Sequence, residues 1–199
     1  FDKAFEYRNP VMIAVDGLIG QMMEPINLGE EEEKEYPVPA WAADGKKGGP
    51  RRIVSSLFLD PYDLEAHNLK LKEKYDLMVK KEQRYETVNL ADAEIVLVAY
   101  GTMARVCRSA IKELAYQGIK VGMIRPITLW PFPAKAFEEI PENVKGFLTA
   151  EMSLGQMIDD VQLAVNGRRK VAFFGRAGGV VPEPNEVVDA IIKFKEELK

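Results

Sequence analysis

The chain has 199 residues, long enough for one large or two small domains with a genuine core, and its 47% apolar and 29% charged residues exclude a fibrous or disordered protein. With 27 Lys and Arg against 31 Asp and Glu it is mildly acidic, which argues against a general binder of nucleic acid or of anionic membranes. The single cysteine, Cys107, excludes an internal disulfide and cannot alone hold an iron–sulfur cluster, so a reducing compartment is expected and any cluster belongs to another chain. No apolar run nears the ~20 residues that span a bilayer and no secretory pattern opens the chain, so a cytoplasmic location is expected.

In chain order, FDKAFEYRNP runs straight into VMIAVD, Val11 to Asp16, a β-branched apolar run of the kind buried in a parallel sheet. One strand makes no sheet. It is expected to join the later sheet or to belong to a domain whose earlier part lies outside this sequence, as Phe1 in place of a starting Met suggests. After Gly17 the stretch LIGQMMEP looks amphipathic. Ile26 to Arg52 is acidic and rich in Pro and Gly, with EEEEKEYPVP and DGKKGGP, and reads as a long loop or linker in which Glu30 to Glu33 are solvated charge rather than a metal cage. Asp60, Pro61 and Tyr62 begin a polar helix in which Leu64, His67, Leu71, Tyr75 and Met78 recur at helical spacing.

From Glu94 the pattern is regular. EIVLVAY, KVGMI, KGFLTA and KVAFF read as strands, each followed by a helix. The helix after Gly101 takes Thr102 as N-cap and Gly118 as its stop, with Met103, Val106, Cys107, Ala110, Ile111, Leu114 and Ala115 as the stripe that faces a sheet. The helix after KGFLTA repeats the device with Leu154, Met157, Ile158, Val161 and Val165, and stops at Asn166-Gly167. Apolar strands between one-faced helices predict an α/β fold with a mostly parallel, doubly wound sheet.

In such sheets ligands and partners meet the loops at the carboxyl ends of the strands. YGTMAR puts the Gly101 and Thr102 amides at a helix N-terminus, which favours a phosphate or carboxylate if Thr102 does more than cap the helix. FGRAGGVVPEP offers Arg176 with the flexible Gly178-Gly179 pair, either to close on an anion or to form a subunit-contact loop; it lacks the spacing of both GxGxxG and GxxxxGK[ST]. In GMIRPITLWPFP, Pro126 holds Arg125 extended while Pro131 and Pro133 preset the next chain direction. Arg125, Trp130 and Phe132 are therefore interface candidates, the alternative for the aromatics being packing within the domain.

No catalytic set emerges. EMSLG, Glu151 to Gly155, lacks the first Gly of GxSxG, and the one histidine, His67, lies on a helix stripe where packing is its expected role. Cys107 falls in a buried stripe, and no carboxylate or His pair has metal spacing.

Six separated segments, DGLIGQMMEP, HNLKLKEKY, AYGTMAR, GMIRPITLWPFP, AEMSLGQM and FGRAGGVVPEP, together resemble the alpha subunit of 2-oxoacid:ferredoxin oxidoreductases, in the branch that acts on 3-methyl-2-oxobutanoate (2-ketoisovalerate). The resemblance implies that 1–25 is the tail of a thiamine-pyrimidine domain, 26–93 a linker with a helix, and 94–199 a domain of the transketolase C-terminal type. It implies an enzyme of anaerobic metabolism that oxidatively decarboxylates a 2-oxoacid on thiamine diphosphate with Mg²⁺, joins the acyl group to coenzyme A and passes electrons through iron–sulfur clusters to ferredoxin. The family's acidic residue for the aminopyrimidine falls before Phe1 and its diphosphate–Mg²⁺ site on the beta subunit, so no catalytic residue and no cofactor are expected on this chain alone. Its partners are then the beta and other subunits in an oligomer, with ferredoxin and coenzyme A met through the assembly. Two other readings are a stand-alone module holding an anion such as coenzyme A, and a transketolase-like dehydrogenase E1 beta subunit.

Overall fold

Tyr85–Val88, Ile95–Val98, Val121–Pro126, Gly146–Glu151 and Lys170–Gly175 are strands β1 to β5 of one sheet in a computed structural model that describes residues 1–29, 37–43, 45 and 48–199. The acidic run Glu30 to Glu33 and Asp44 lie outside the described residues. The strand order is β1-β3-β2-β4-β5; β2 to β5 are parallel, and β1 pairs antiparallel with β3, Tyr85 opposite Pro126 and Val88 opposite Met123. The helices are α1 (Asp2–Tyr7), α2 (Pro61–Lys81), α3 (Gly101–Tyr116), α4 (Met157–Val165) and α5 (Pro184–Glu197), with 3-10 turns at Ile19–Gln21 and Ala134–Phe137.

The described chain divides into two units, Phe1–Ala14 with Gln21–Tyr75, and Val15–Gly20 with Asp76–Lys199. In the first, Phe5 stacks on Trp41 at 6.0 Å and the Arg8 guanidinium lies 5.1 Å from the same ring. Asp60 Oδ1 accepts the amides of Tyr62 and Asp63 at 2.9 and 3.2 Å and so starts α2, with Pro61 as its first residue. His67 stacks on Phe58 at 4.5 Å. Of the described large apolar side chains of this unit only Tyr7 is buried, while Met12 and Met23 are 87% and 99% exposed.

The second unit holds the sheet and both cores. Strands buried on both faces send alternate side chains to opposite sides. Ile95, Leu97, Val121, Met123, Leu148 and Ala150 pack with the stripe of α3 and with Val187, Val188, Ile191 and Phe194 of α5. Val96, Val98, Ile124 and Phe147 pack with Ala136, Phe137 and with Met157, Val161 and Val165 of α4. The result is three layers, as the alternation of apolar strands and one-faced helices predicts. Cys107 is fully buried in the first core, where loss of hydration pushes its thiol up to about 12.

Local signals close the helices. At the end of α3 the Ile119 amide reaches the Leu114 carbonyl at 2.9 Å and the Gly118 amide that of Ala115 at 3.0 Å, with Gly118 at φ 73°, the paired bonds of a Schellman turn. Asn166 ends α4 in the left-handed region. Glu183 and Glu186 form a capping box at the start of α5.

Four sequence expectations are corrected. Val11 to Asp16 does not join the later sheet, the first of its two expected placements. Tyr85–Val88, read as linker, is the antiparallel edge of the sheet. Leu154 is 89% exposed and precedes α4, since Gly155 at φ 106° turns the chain before the helix begins. Thr102 is not the N-cap of α3; Tyr100 holds that position and Thr102 lies inside the first turn.

Candidate functional site

The order in which strands are added reverses between β2 and β4: the chain leaves β2 through α3 for β3 on one side, then crosses to β4 on the other. A crevice opens where two such connections diverge, at the carboxyl ends of the strands. Here it offers about 160 Å³ and is bordered by Asp16, Tyr100, Glu151, Ser153 and Gln156.

Two carboxylates organise its walls. Asp16 Oδ2 accepts the Thr102 amide at 2.9 Å, Oδ1 accepts the Thr102 hydroxyl at 2.9 Å and the Ile19 amide at 2.9 Å. A residue 86 positions away thus does for α3 what a local cap does elsewhere. Glu151, 4% exposed at the end of β4, caps α4: Oε2 accepts the amides of Gln156 and Met157 at 3.0 Å and the Ser153 hydroxyl at 2.9 Å, and Oε1 accepts the Ile158 amide at 3.0 Å. Each negative charge therefore sits at the positive end of a helix dipole.

These contacts set the protonation of the crevice. Burial pushes the Asp16 carboxyl upward, but the amides of Ile19, Thr102 and Leu18 and the Thr102 hydroxyl outweigh it and hold it below the ordinary 3.8. Burial, together with the negative charges of Glu151 and Asp16, raises the Tyr100 phenol, which stays a neutral hydroxyl. Asp160 is raised by burial and by Asp159 and Glu151. The crevice thus offers a phenol and two saturated carboxylates, without a thiol or imidazole among its lining residues.

The residues singled out in the sequence fall in different places. Gly101 and Thr102 lie at the crevice, with the Thr102 amide and hydroxyl engaged by Asp16. Arg176 donates its amide to the Glu151 carbonyl at 3.2 Å, but its guanidinium pairs with Glu186 on α5. Gly178 and Gly179 are exposed at φ 70° and 83° in the loop beyond it. Arg125 pairs with Glu86 across the β1–β3 ladder at 3.0 Å, and Arg108 of α3 binds the same oxygen at 3.0 Å. Trp130 is 57% exposed, ahead of a cis bond to Pro131, while Phe132 stacks on Phe137 at 5.8 Å.

The sequence reading missed Asp16 and Glu151. Glu151 carried a signal, an acid a few residues ahead of the amphipathic run that begins at Met157; Asp16 carried none, because its partner lies on a distant element.

The described residues do not fit a thiamine diphosphate–Mg²⁺ cradle or an iron–sulfur cluster. No three His, Cys, Asp or Glu side chains among them converge on one point. The two crevice carboxylates are occupied by backbone amides, and Cys107 is a lone buried thiol. Among the described residues no helix is long and apolar enough to cross a membrane.

Residues 93–187 match the family model for pyruvate:ferredoxin oxidoreductase core domain II. Over 96% of its length the chain is 42% identical to ketoisovalerate oxidoreductase subunit VorB of Methanothermobacter thermautotrophicus, and it spans 54% of that relative. It is 28% identical to the 2-oxoglutarate synthase subunit KorA of Methanothermobacter marburgensis over 98% of its length and 59% of the relative. Among solved structures, the 2-oxoglutarate:ferredoxin oxidoreductase from Magnetococcus marinus with 2-oxoglutarate, coenzyme A and succinyl-CoA bound aligns at TM-score 0.58. That alignment has 21% identity and covers 71% of this chain and 24% of that one, a likeness of fold.

Proposed function

The chain belongs, through its core domain II, to the 2-oxoacid:ferredoxin oxidoreductase family, and from that premise we propose that it is part of a multi-subunit enzyme converting a branched-chain 2-oxoacid to its acyl-CoA. The observation that carries the reading is the 42% identity along 96% of the chain to a ketoisovalerate oxidoreductase subunit. The family's thiamine diphosphate would take up the electrons left when CO₂ departs, and it would be held, with Mg²⁺ and the iron–sulfur clusters, by other parts of the assembly.

The role proposed for this chain is ordering and contact. The crevice carboxylates fix the starts of α3 and α4, and with them the loops that follow β2 and β4. Residues 1–25 are read as the tail of a pyrimidine-binding domain and 94–199, joined by the edge strand β1, as a transketolase C-terminal-type domain; the rest of 26–93 is read as a linker with a helix. The loops carrying Arg125, Trp130, Phe132, Arg176, Gly178 and Gly179 are read as contact surfaces toward the beta and other subunits, in a soluble cytoplasmic oligomer that meets ferredoxin and coenzyme A. A stand-alone anion-binding module is the weaker reading, because Asp16 already occupies the α3 donors such an anion would need.

The test uses the full-length protein assembled with its partner subunits. Reduction of ferredoxin should require coenzyme A and should run faster with 3-methyl-2-oxobutanoate than with pyruvate or 2-oxoglutarate. Rates no higher than a blank with any 2-oxoacid would remove the enzyme reading; a preference for 2-oxoglutarate would remove the substrate assignment alone.

A further inference from the structure

We propose that the depression between the Ala134–Phe137 turn, the start of β4 and the end of α4 binds a small carboxylate with a compact apolar body. It offers about 100 Å³, below the ~300–1,000 Å³ of drug-sized sites and so suited only to a small ligand. Phe137, Ile140, Phe147 and Val165 line it. Phe137, Phe147 and Val165 are buried, and the two rings meet at 5.4 Å in a tilted pair, so the floor is preformed and apolar.

The rest of the lining is charged. Arg168 donates Nε to the Val165 carbonyl at 2.9 Å, Nη2 to that of Ala164 at 2.8 Å and Nη1 to that of Glu138 at 3.5 Å. Arg169 donates Nε to the Val144 carbonyl at 2.7 Å and Nη1 to that of Arg168 at 2.8 Å. All five acceptors are carbonyls, which hold the guanidiniums in place without neutralising them. Neither arginine has an ion-pair partner among the described residues, although the Glu138 residue borders the same depression. Arg169 keeps Nη2 unengaged by any of the described residues.

Two fixed, unneutralised guanidiniums beside an apolar floor are complementary to an amphiphilic anion. A bare phosphate would satisfy the charge and leave the floor in water; a neutral ring would cover the floor and leave the charge. The depression lies at the amino end of β4, whereas the Glu151 crevice lies at its carboxyl end, so this is a second site and does not rest on the proposed activity.

The test is calorimetric titration of the intact protein with benzoate, benzamide as the neutral isostere and inorganic phosphate as the bare anion, alongside the NMR shifts of the Val165 methyls. Saturable benzoate binding that moves those methyls is expected, with benzamide and phosphate at least ten-fold weaker. Ile140→Trp, which fills the depression, and Arg169→Gln should each weaken benzoate at least ten-fold. Absence of saturable benzoate binding, equal binding of benzamide or phosphate, or unchanged binding by Ile140→Trp would each overturn the proposal. If loss of the bond to Val144 unfolds Arg169→Gln, the three probes on the wild type and the Ile140→Trp variant still decide.

Discussion

Asp16 reaches the first turn of α3 across 86 residues, and its removal isolates the worth of that contact. Asp16→Ala should lower the stability of the intact protein to urea by about 1 kcal/mol, up to about 2, as other lost caps do. The sign of its pH dependence follows from its depressed carboxyl. The contribution is fully present above the ordinary 3.8 and is lost as pH falls through the lower folded value, so wild type and Asp16→Ala should converge in stability only below that window. Gly101→Ala tests the same contact from the other side: at φ 58° an added Cβ would lie 2.8 Å from Asp16 Oδ2, and a loss of about 1–2 kcal/mol is expected. Glu151→Gln keeps the shape but replaces a charged acceptor of four donors, and should lower the unfolding midpoint through a loss of about 1.5–3 kcal/mol. Cys107 should resist alkylation at pH 8 until the protein unfolds, since a buried thiol held up near 12 yields little thiolate.

At the scale of elements, packing of the β4–α4 loop against the end of β5 depends on a close backbone approach. A Cβ on Gly175 would stand 2.5 Å from the Ser153 carbonyl oxygen and 2.4 Å from the Phe173 ring. Gly175→Ala should therefore lower stability by about 1–3 kcal/mol, read as a fall in melting temperature. Much of this level was legible in the sequence, because β2 to β5 and the helices after them declare themselves through local periodicity and through stops such as Gly118 and Asn166. β1 did not: YETV is four residues long and largely exposed, and only its pairing with β3 makes it a strand. Leu154 was misplaced because it stands at helical spacing from Met157 and Ile158 while the turn at Gly155 removes it from the helix. Asp16 was illegible for a related reason, as a cap supplied from another segment leaves no mark beside the helix it serves.

At the scale of the whole molecule, a run of large apolar side chains near the start of the sequence is left in water. Met12, Ile13, Met23, Ile26 and Leu28 are each more than three-quarters exposed, more than isolated surface apolars require, and in the proposed assembly a partner surface would cover them. Trp130 adds an exposed aromatic at the carboxyl rim of the sheet. The most direct measurement is hydrogen exchange of the full-length protein, alone and assembled with the other subunits of the oxidoreductase. Residues 11–15 and 22–28 and the 129–133 loop should exchange quickly alone and be protected at least ten-fold on assembly. Equal exchange in both states would contradict the assignment of this chain as a contact-making part of a larger enzyme.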